Sequence, residues 1–221
     1  MRKTLILDCD GVLYPTSQLS LRDFVSAMKR TAKAWGISDE EYNKASQASL
    51  SKNAKGMFNF VLEMTKGDMA RFDRFCTDMF DRVDYTKITR DDVLKQRLKD
   101  ARKTNDVVIL TNNHQAHLEK VLNARFGESC ETVGVPCYDI RSTEKDGMFH
   151  PKQSEEGLLI FCEKIGKKPH ECVLVDDTPV NISAARKIGM GGCLISEKMT
   201  LSNYLEAVSR PPLFGKGYAR Q

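Results

Sequence analysis

The sequence predicts an α/β fold, a parallel sheet whose first strand is followed by a long all-helical stretch before strands and helices alternate. Three observations predict it. Thr4-Leu5-Ile6-Leu7, Val107-Val108-Ile109-Leu110 and Cys172-Val173-Leu174-Val175 are short continuous apolar runs, as strands buried on both faces require. From Asp106 onward such runs alternate with helical periodicity, and parallel neighbours need crossover helices. Between the first run and Asp106, roughly residues 17–99 carry helical spacing alone.

Within that stretch Leu21, Phe24, Val25, Met28, Ala32 and Trp35 share one helical face, with Ser20 as N-cap and Gly36 past the end. Ser38-Asp39-Glu40-Glu41 is a capping-box pattern opening a second helix. Met57, Phe60, Val61 and Met64 mark a third, and Met69, Phe72, Cys76, Met79 and Phe80 a fourth started by Asp68. Thr89 to Asp92 caps a helix carrying Leu94, Leu98 and Ala101. A bundle placed straight after the first strand would sit over that strand's carboxyl end as a lid.

After the Val107–Leu110 strand come a helix through Leu118, Val121, Leu122 and Phe126, and a weaker strand within Thr132 to Tyr138. A helix capped by Ser154 follows, then the Cys172–Val175 strand and a helix through Ile182, Ala185 and Ile188. A short strand Gly192 to Ile195 and a helix around Leu201 to Val208 close the pattern. The stretch from Arg210 to Gln221, with two prolines and two glycines, reads as a surface tail.

With 221 residues the chain can bury one core plus a smaller helical subdomain. Its net charge of +4 comes from interleaved acids and bases, so neither a nucleic-acid arm nor a membrane patch is expected. Seven cysteines without a C-x-x-C pair predict reduced thiols. Met1-Arg2-Lys3 leads into too few apolar residues for a signal peptide, and a cytoplasmic protein, monomer or homodimer, is expected.

Chemistry concentrates at strand ends. Asp8 and Asp10 end the first apolar run, and Asp176 and Asp177 end the Cys172–Val175 run. An open parallel sheet holds its ligand outside the carboxyl ends of its strands, which would bring both acid pairs together. At about 4 Å two carboxylates repel by roughly 4 kcal/mol at an effective dielectric of 20, so a cation or protonation must relieve the cluster. All-oxygen donors select Mg²⁺.

Asp8-Cys9-Asp10-Gly11-Val12 off a buried strand resembles the D-x-D-x-V opening motif of the haloacid dehalogenase superfamily. Thr111, Lys152 and the Asp176-Asp177 pair follow in that family's order, so the resemblance covers most of the chain. It implies a Rossmann-like parallel sheet core at 1–16 and 100–209, an inserted all-helical cap subdomain at 17–99, and a 210–221 tail. It also implies a Mg²⁺-dependent phosphomonoesterase acting on a small phosphorylated metabolite, a nucleotide or sugar phosphate. Asp8 would be the nucleophile forming an aspartyl-phosphate, and Asp10 the general acid and base. Thr111, Asn112 and Lys152 would hold the phosphoryl oxygens. The metal would be held by Asp8, the Asp10 carbonyl and the Asp176/Asp177 pair, with Asp177 direct and Asp176 acting through water. Relatives often read G-D-x-x-x-D here, which places Asp176 at the glycine and Asn181 at the last acid. The third motif departs too, reading Pro151-Lys152 where Lys-Pro is usual.

The helical cap and the Asp-Asp motif look most like the pyrimidine 5′-nucleotidase-type branch. Ser51-Lys52-Asn53-Ala54-Lys55-Gly56 suits either a helix-helix turn or a loop offering Asn53 and Lys55 to substrate. Cys9 reads as a small buried side chain, and His114, His117 and His150 receive no role. Dehalogenation is disfavoured because it needs no acid at position 10. A phosphomutase would use the same residues, and a catalytically silent binding or signalling protein is the alternative of another class. The chain order, with Lys152 before the acid pair, disfavours a receiver domain.

Overall fold

The computed structural model describes residues 2–51 and 56–210. The strands are β1 (Thr4–Leu7), β2 (Asp106–Leu110), β3 (Cys137–Tyr138), β4 (Glu144–Lys145), β5 (Met148–Phe149), β6 (Cys172–Asp176) and β7 (Gly191–Leu194). Five of them form one parallel sheet in the order β3-β2-β1-β6-β7, while β4 and β5 pair as a separate antiparallel hairpin. The helices are α1 (Leu21–Ala34), α2 (Asp39–Ser51), α3 (Met57–Met64), α4 (Met69–Phe80), α5 (Asp92–Thr104), α6 (Gln115–Phe126), α7 (Glu155–Lys164), α8 (Pro179–Lys187) and α9 (Leu201–Ser209). This is the α/β, Rossmann-like sheet that the apolar runs predict.

Side chains alternate across the pleat and divide the core. Leu5, Leu7, Val107 and Ile109 share one buried cluster with Leu98 of α5, Val121 of α6 and Leu205 of α9. Ile6, Val108, Leu110 and Leu174 share the other with Phe161 of α7 and Ile182 of α8. Helix starts follow their caps: the Asp68 carboxylate accepts from the Ala70 and Arg71 N–H groups, and the Ser154 hydroxyl accepts from Gly157. Each such cap stabilises its helix by about 1 kcal/mol.

Helices α1–α4 lie between β1 and β2 in the chain and pack through aromatic edges, with Phe24 and Phe80 rings 6.1 Å apart and Trp35 and Phe75 5.3 Å apart. Helix α5 packs against α9 and β2. The expected boundary between residues 99 and 100 therefore falls inside one unbroken helix, Asp92–Thr104.

Two elements differ from expectation. The strand sought in 132–138 is only Cys137–Tyr138, because the Ser129 N–H binds the Thr132 hydroxyl in a turn and Pro136 has no N–H to give. The β4–β5 hairpin turns through Asp146 (φ 54) and Gly147 (φ 74), the left-handed pair a tight two-residue turn requires. Asn53 and Lys55, and all of the expected tail except Arg210, lie outside the described residues.

Candidate active site

Strand register brings the acids together. Leu7 lies level with Val175 and with Ile109, and the Asp8 N–H donates to the Val175 carbonyl at 2.9 Å. Asp8 therefore leaves β1 beside Asp176 of β6, with Thr111 just past the end of β2. The strand order reverses at β1, so this is also where the sheet opens a crevice.

Lys152 arrives from the segment after β5. Its Nζ donates to Asp8 Oδ1 at 2.5 Å, to Asp176 Oδ2 at 2.9 Å and to the Leu110 carbonyl at 3.1 Å, so all three protons are used on buried partners. The backbone carrying it is pressed against α7, where a β-carbon on Gly157 would fall 2.1 Å from the His150 carbonyl oxygen. The Pro151-Lys152 order thus still delivers the ammonium to the acid cluster.

Burial pushes the Asp8 carboxyl well above the usual range; Lys152 pulls it back, and Asp176 and Asp10 add to the rise. Burial would lower the Lys152 ammonium too, but Asp176 and Asp8 outweigh it and hold it above the usual lysine range. For Asp176, burial is outweighed by Lys152, the Thr178 N–H and Asn181, and the carboxyl sits below the usual range. Negative charge exceeds positive in this cluster.

Asp176 and Asp177 have different surroundings. Asp176 is fully buried and engaged by Lys152, the Asn181 amide at 3.0 Å and the Thr178 N–H at 2.9 Å. Asp177 is only partly buried, accepts from the Thr178 hydroxyl at 3.1 Å and faces the cavity. Its carboxyl is raised by burial. One oxygen from each of Asp8, Asp176 and Asp177 lies within 4.8 Å of the others, a spacing a single cation can span. Oxygen-only donors with surplus negative charge fit Mg²⁺.

Around Asp10 the structure shows side chains that carry no role in the sequence reading. Oδ1 accepts from His117 Nε2 at 2.9 Å and from the Tyr14 hydroxyl. Oδ2 accepts from Asn113 Nδ2 at 2.6 Å, with Thr111 Oγ1 at 3.5 Å. Burial would raise the Asp10 carboxyl, but His117 beside it and the hydrogen bonds from His117, Tyr14 and Asn113 hold it well below the usual range. His117 is fully buried in the first turn of α6. Its position four residues before Val121 sets it on that helix's apolar stripe, the one sequence signal it carries. Cys9 is buried, and burial pushes its thiol up.

Asn112 accepts the Lys152 N–H on its Oδ1 at 2.9 Å and lines a cavity of about 590 Å³ together with Asp8, Asp10 and Asp177. Phe24 of α1, Met57, Phe58 and Asn59 of α3, and Phe149 of β5 complete its wall. Asn59 clasps Phe149, donating to its carbonyl at 2.8 Å and accepting its N–H at 2.9 Å. Asp8, Asp10, Asn112, Lys152, Asp176 and Asp177 therefore meet at one place, with Thr111 buried beside Asp10.

Residues 2–189 match the haloacid dehalogenase-like hydrolase family, and the chain belongs to it. It is a hydrolase with that family's fold. A mutant of CbbY from Rhodobacter sphaeroides, in complex with xylulose-1,5-bisphosphate, is 15% identical over 91% of each chain, with a TM-score of 0.56. A hydrolase from Pseudomonas syringae is 14% identical over 93% of this chain and 98% of its own, with a TM-score of 0.55. CbbY from Rhodobacter sphaeroides in complex with phosphate is 17% identical, covering 87% of this chain and 85% of that one, with a TM-score of 0.54. No curated protein matches the chain. Among the described residues, no helix is long and apolar enough to cross a membrane.

Proposed function

We propose that this hydrolase is a Mg²⁺-dependent phosphomonoesterase acting on a small phosphorylated metabolite, a nucleotide or a sugar phosphate, through an aspartyl-phosphate on Asp8. The observation that carries the reading is Lys152, a buried ammonium bridging Asp8 and Asp176 behind a cavity lined by Asp8, Asp10 and Asp177. A phosphate monoester is a dianion, so an attacking carboxylate needs positive charge beside it.

Asp8 attacks phosphorus and the ester oxygen leaves, taking a proton from Asp10. Water then attacks the phosphorus of the acyl phosphate, Asp10 takes that water's proton, and the bond from Asp8 to phosphorus breaks to release inorganic phosphate and the free carboxylate. With no substrate beside it Asp10 is ionised; an approaching phosphate dianion raises its proton affinity, as any neighbouring like charge does. Thr111 and Asn112 bind the phosphoryl oxygens, and Lys152 turns to them the proton it gives Asp8 Oδ1 in the resting site. Asp8, the Asp10 main-chain carbonyl and Asp177, with Asp176 acting through water, would hold Mg²⁺, which when bound supplies charge to keep Asp8 ionised and to offset the phosphoryl group. The engaged Asp176 and the cavity-facing Asp177 support that division.

Helices α1–α4 act as the cap in this reading, since Phe24, Met57 and Phe58 wall the cavity opposite the strand ends. The cap then ends before α5. The test is a screen of phosphorylated metabolites and an aryl phosphate, with and without Mg²⁺, beside Asp8→Asn. Metal-dependent phosphate release by the wild type and none by Asp8→Asn is expected; a wild type that hydrolyses nothing ends the proposal.

A further inference from the structure

The side chain of Asp10 keeps 27% of its surface exposed, and its two oxygens lie in different surroundings. Oδ2 is bound by Asn113, which lines the cavity. Oδ1 is bound by His117 and Tyr14, and neither lines it. The His117 ring cannot swing away: Phe24 and Phe80 pack at centroid distances of 5.2 and 5.1 Å, and Tyr85 Oη is 2.8 Å from Nδ1. An ionised carboxylate only accepts, so Nε2 is the donor in the His117–Asp10 bond.

We propose that His117 is a positioning residue for Asp10, pinning Oδ1 so that Oδ2 is the oxygen that gives a proton to the leaving group and takes one from water. The inference rests on the phosphomonoesterase reading. Freed from His117, the carboxylate turns about its terminal torsion, which is soft, and proton transfer loses its alignment. Attack by Asp8 does not depend on it.

The measurement is kcat/KM across a series of aryl and alkyl monophosphates of rising leaving-group pKa, for wild type, His117→Phe, His117→Gln and His117→Asn. Proton donation matters most when the leaving oxygen is basic, and general acid catalysis contributes typically 10²–10⁴-fold. The expected result for His117→Phe is a loss of about 100-fold on alkyl phosphates, a far smaller loss on 4-nitrophenyl phosphate, and a steeper dependence on leaving-group pKa. His117→Gln, whose amide nitrogen can reach the place of Nε2, recovers most of the wild-type slope. A loss equal across the series, or no loss, overturns the inference while leaving the phosphatase reading intact. If His117→Phe does not fold, the amides decide: a flatter slope for Gln than for Asn supports the inference, and equal slopes overturn it. A wild type inactive on every ester removes both.

Discussion

Gly11 and Asp177 face each other across the site so closely that a β-carbon on residue 11 would fall 1.9 Å from Asp177 Oδ2. Gly11 also has φ +74, which L side chains rarely adopt. The opening motif thus needs glycine for space and for conformation. Gly11→Ala is expected to displace the Asp177 carboxylate, lower Mg²⁺ affinity at least tenfold by calorimetric titration, and cost about 1–2 kcal/mol of stability. Unchanged metal affinity would contradict this placement of Asp177.

Lys152 neutralises two buried carboxylates at once. Lys152→Met should abolish phosphatase activity and destabilise the fold by about 3–5 kcal/mol in urea unfolding, since it strands buried charge. Adding Asp8→Asn should return part of that stability and none of the activity. A double variant no more stable than the single one would show that the Asp8 charge is not what Lys152 offsets.

The two acids at the end of β6 should separate in experiment. Asp177→Asn is expected to weaken Mg²⁺ binding at least tenfold and leave Tm within a few degrees. Asp176→Asn should lower Tm more, because it removes a buried partner of Lys152. Equal effects of both on metal binding and Tm would reject the division of roles.

His114 gives the fold a pH dependence of defined sign. Its Nδ1 accepts the Ala116 N–H at 3.1 Å, capping α6, and its Nε2 donates to Asp73 Oδ1 at 3.0 Å, so the ring is neutral. Protonation would set two donors face to face, and burial, partly opposed by Asp73, lowers its affinity for a proton. The unfolded chain therefore binds the proton more readily, and stability falls as pH drops below about 6.5 toward the lowered folded value. His114→Asn, which can still cap, should flatten the wild-type decline in Tm between pH 7 and 5. An unaltered decline would place its origin elsewhere.

The strands that carry the site were legible because β1, β2 and β6 are apolar on both faces, and runs such as Leu5-Ile6-Leu7 advertise that. Asp68 and Ser154 were legible as caps because their chemistry is local. The β4–β5 hairpin is not legible in the sequence, although Asp146-Gly147 is a two-residue turn signal, because its strands are too short to show alternation. Tyr14 stands four places after Asp10 and Asn113 directly after Asn112, yet their bonds to Asp10 depend on how a strand end and a loop face each other in space. His117 was hidden for the same reason: Asp10 is 107 residues away in sequence.

The central position of β1 also bears on how the chain is made. Thr4 pairs with Asp106 on one side and with Cys172 on the other, so one edge of this apolar strand waits open until β2 is made and the other until β6 is. An unpaired apolar edge is a template for aggregation, and pairings so distant along the chain form slowly. Nascent chains released before β6 emerges therefore carry β1 with one unpaired edge and no functioning centre, and hydrolytic activity during refolding reports the arrival of β6 beside β1.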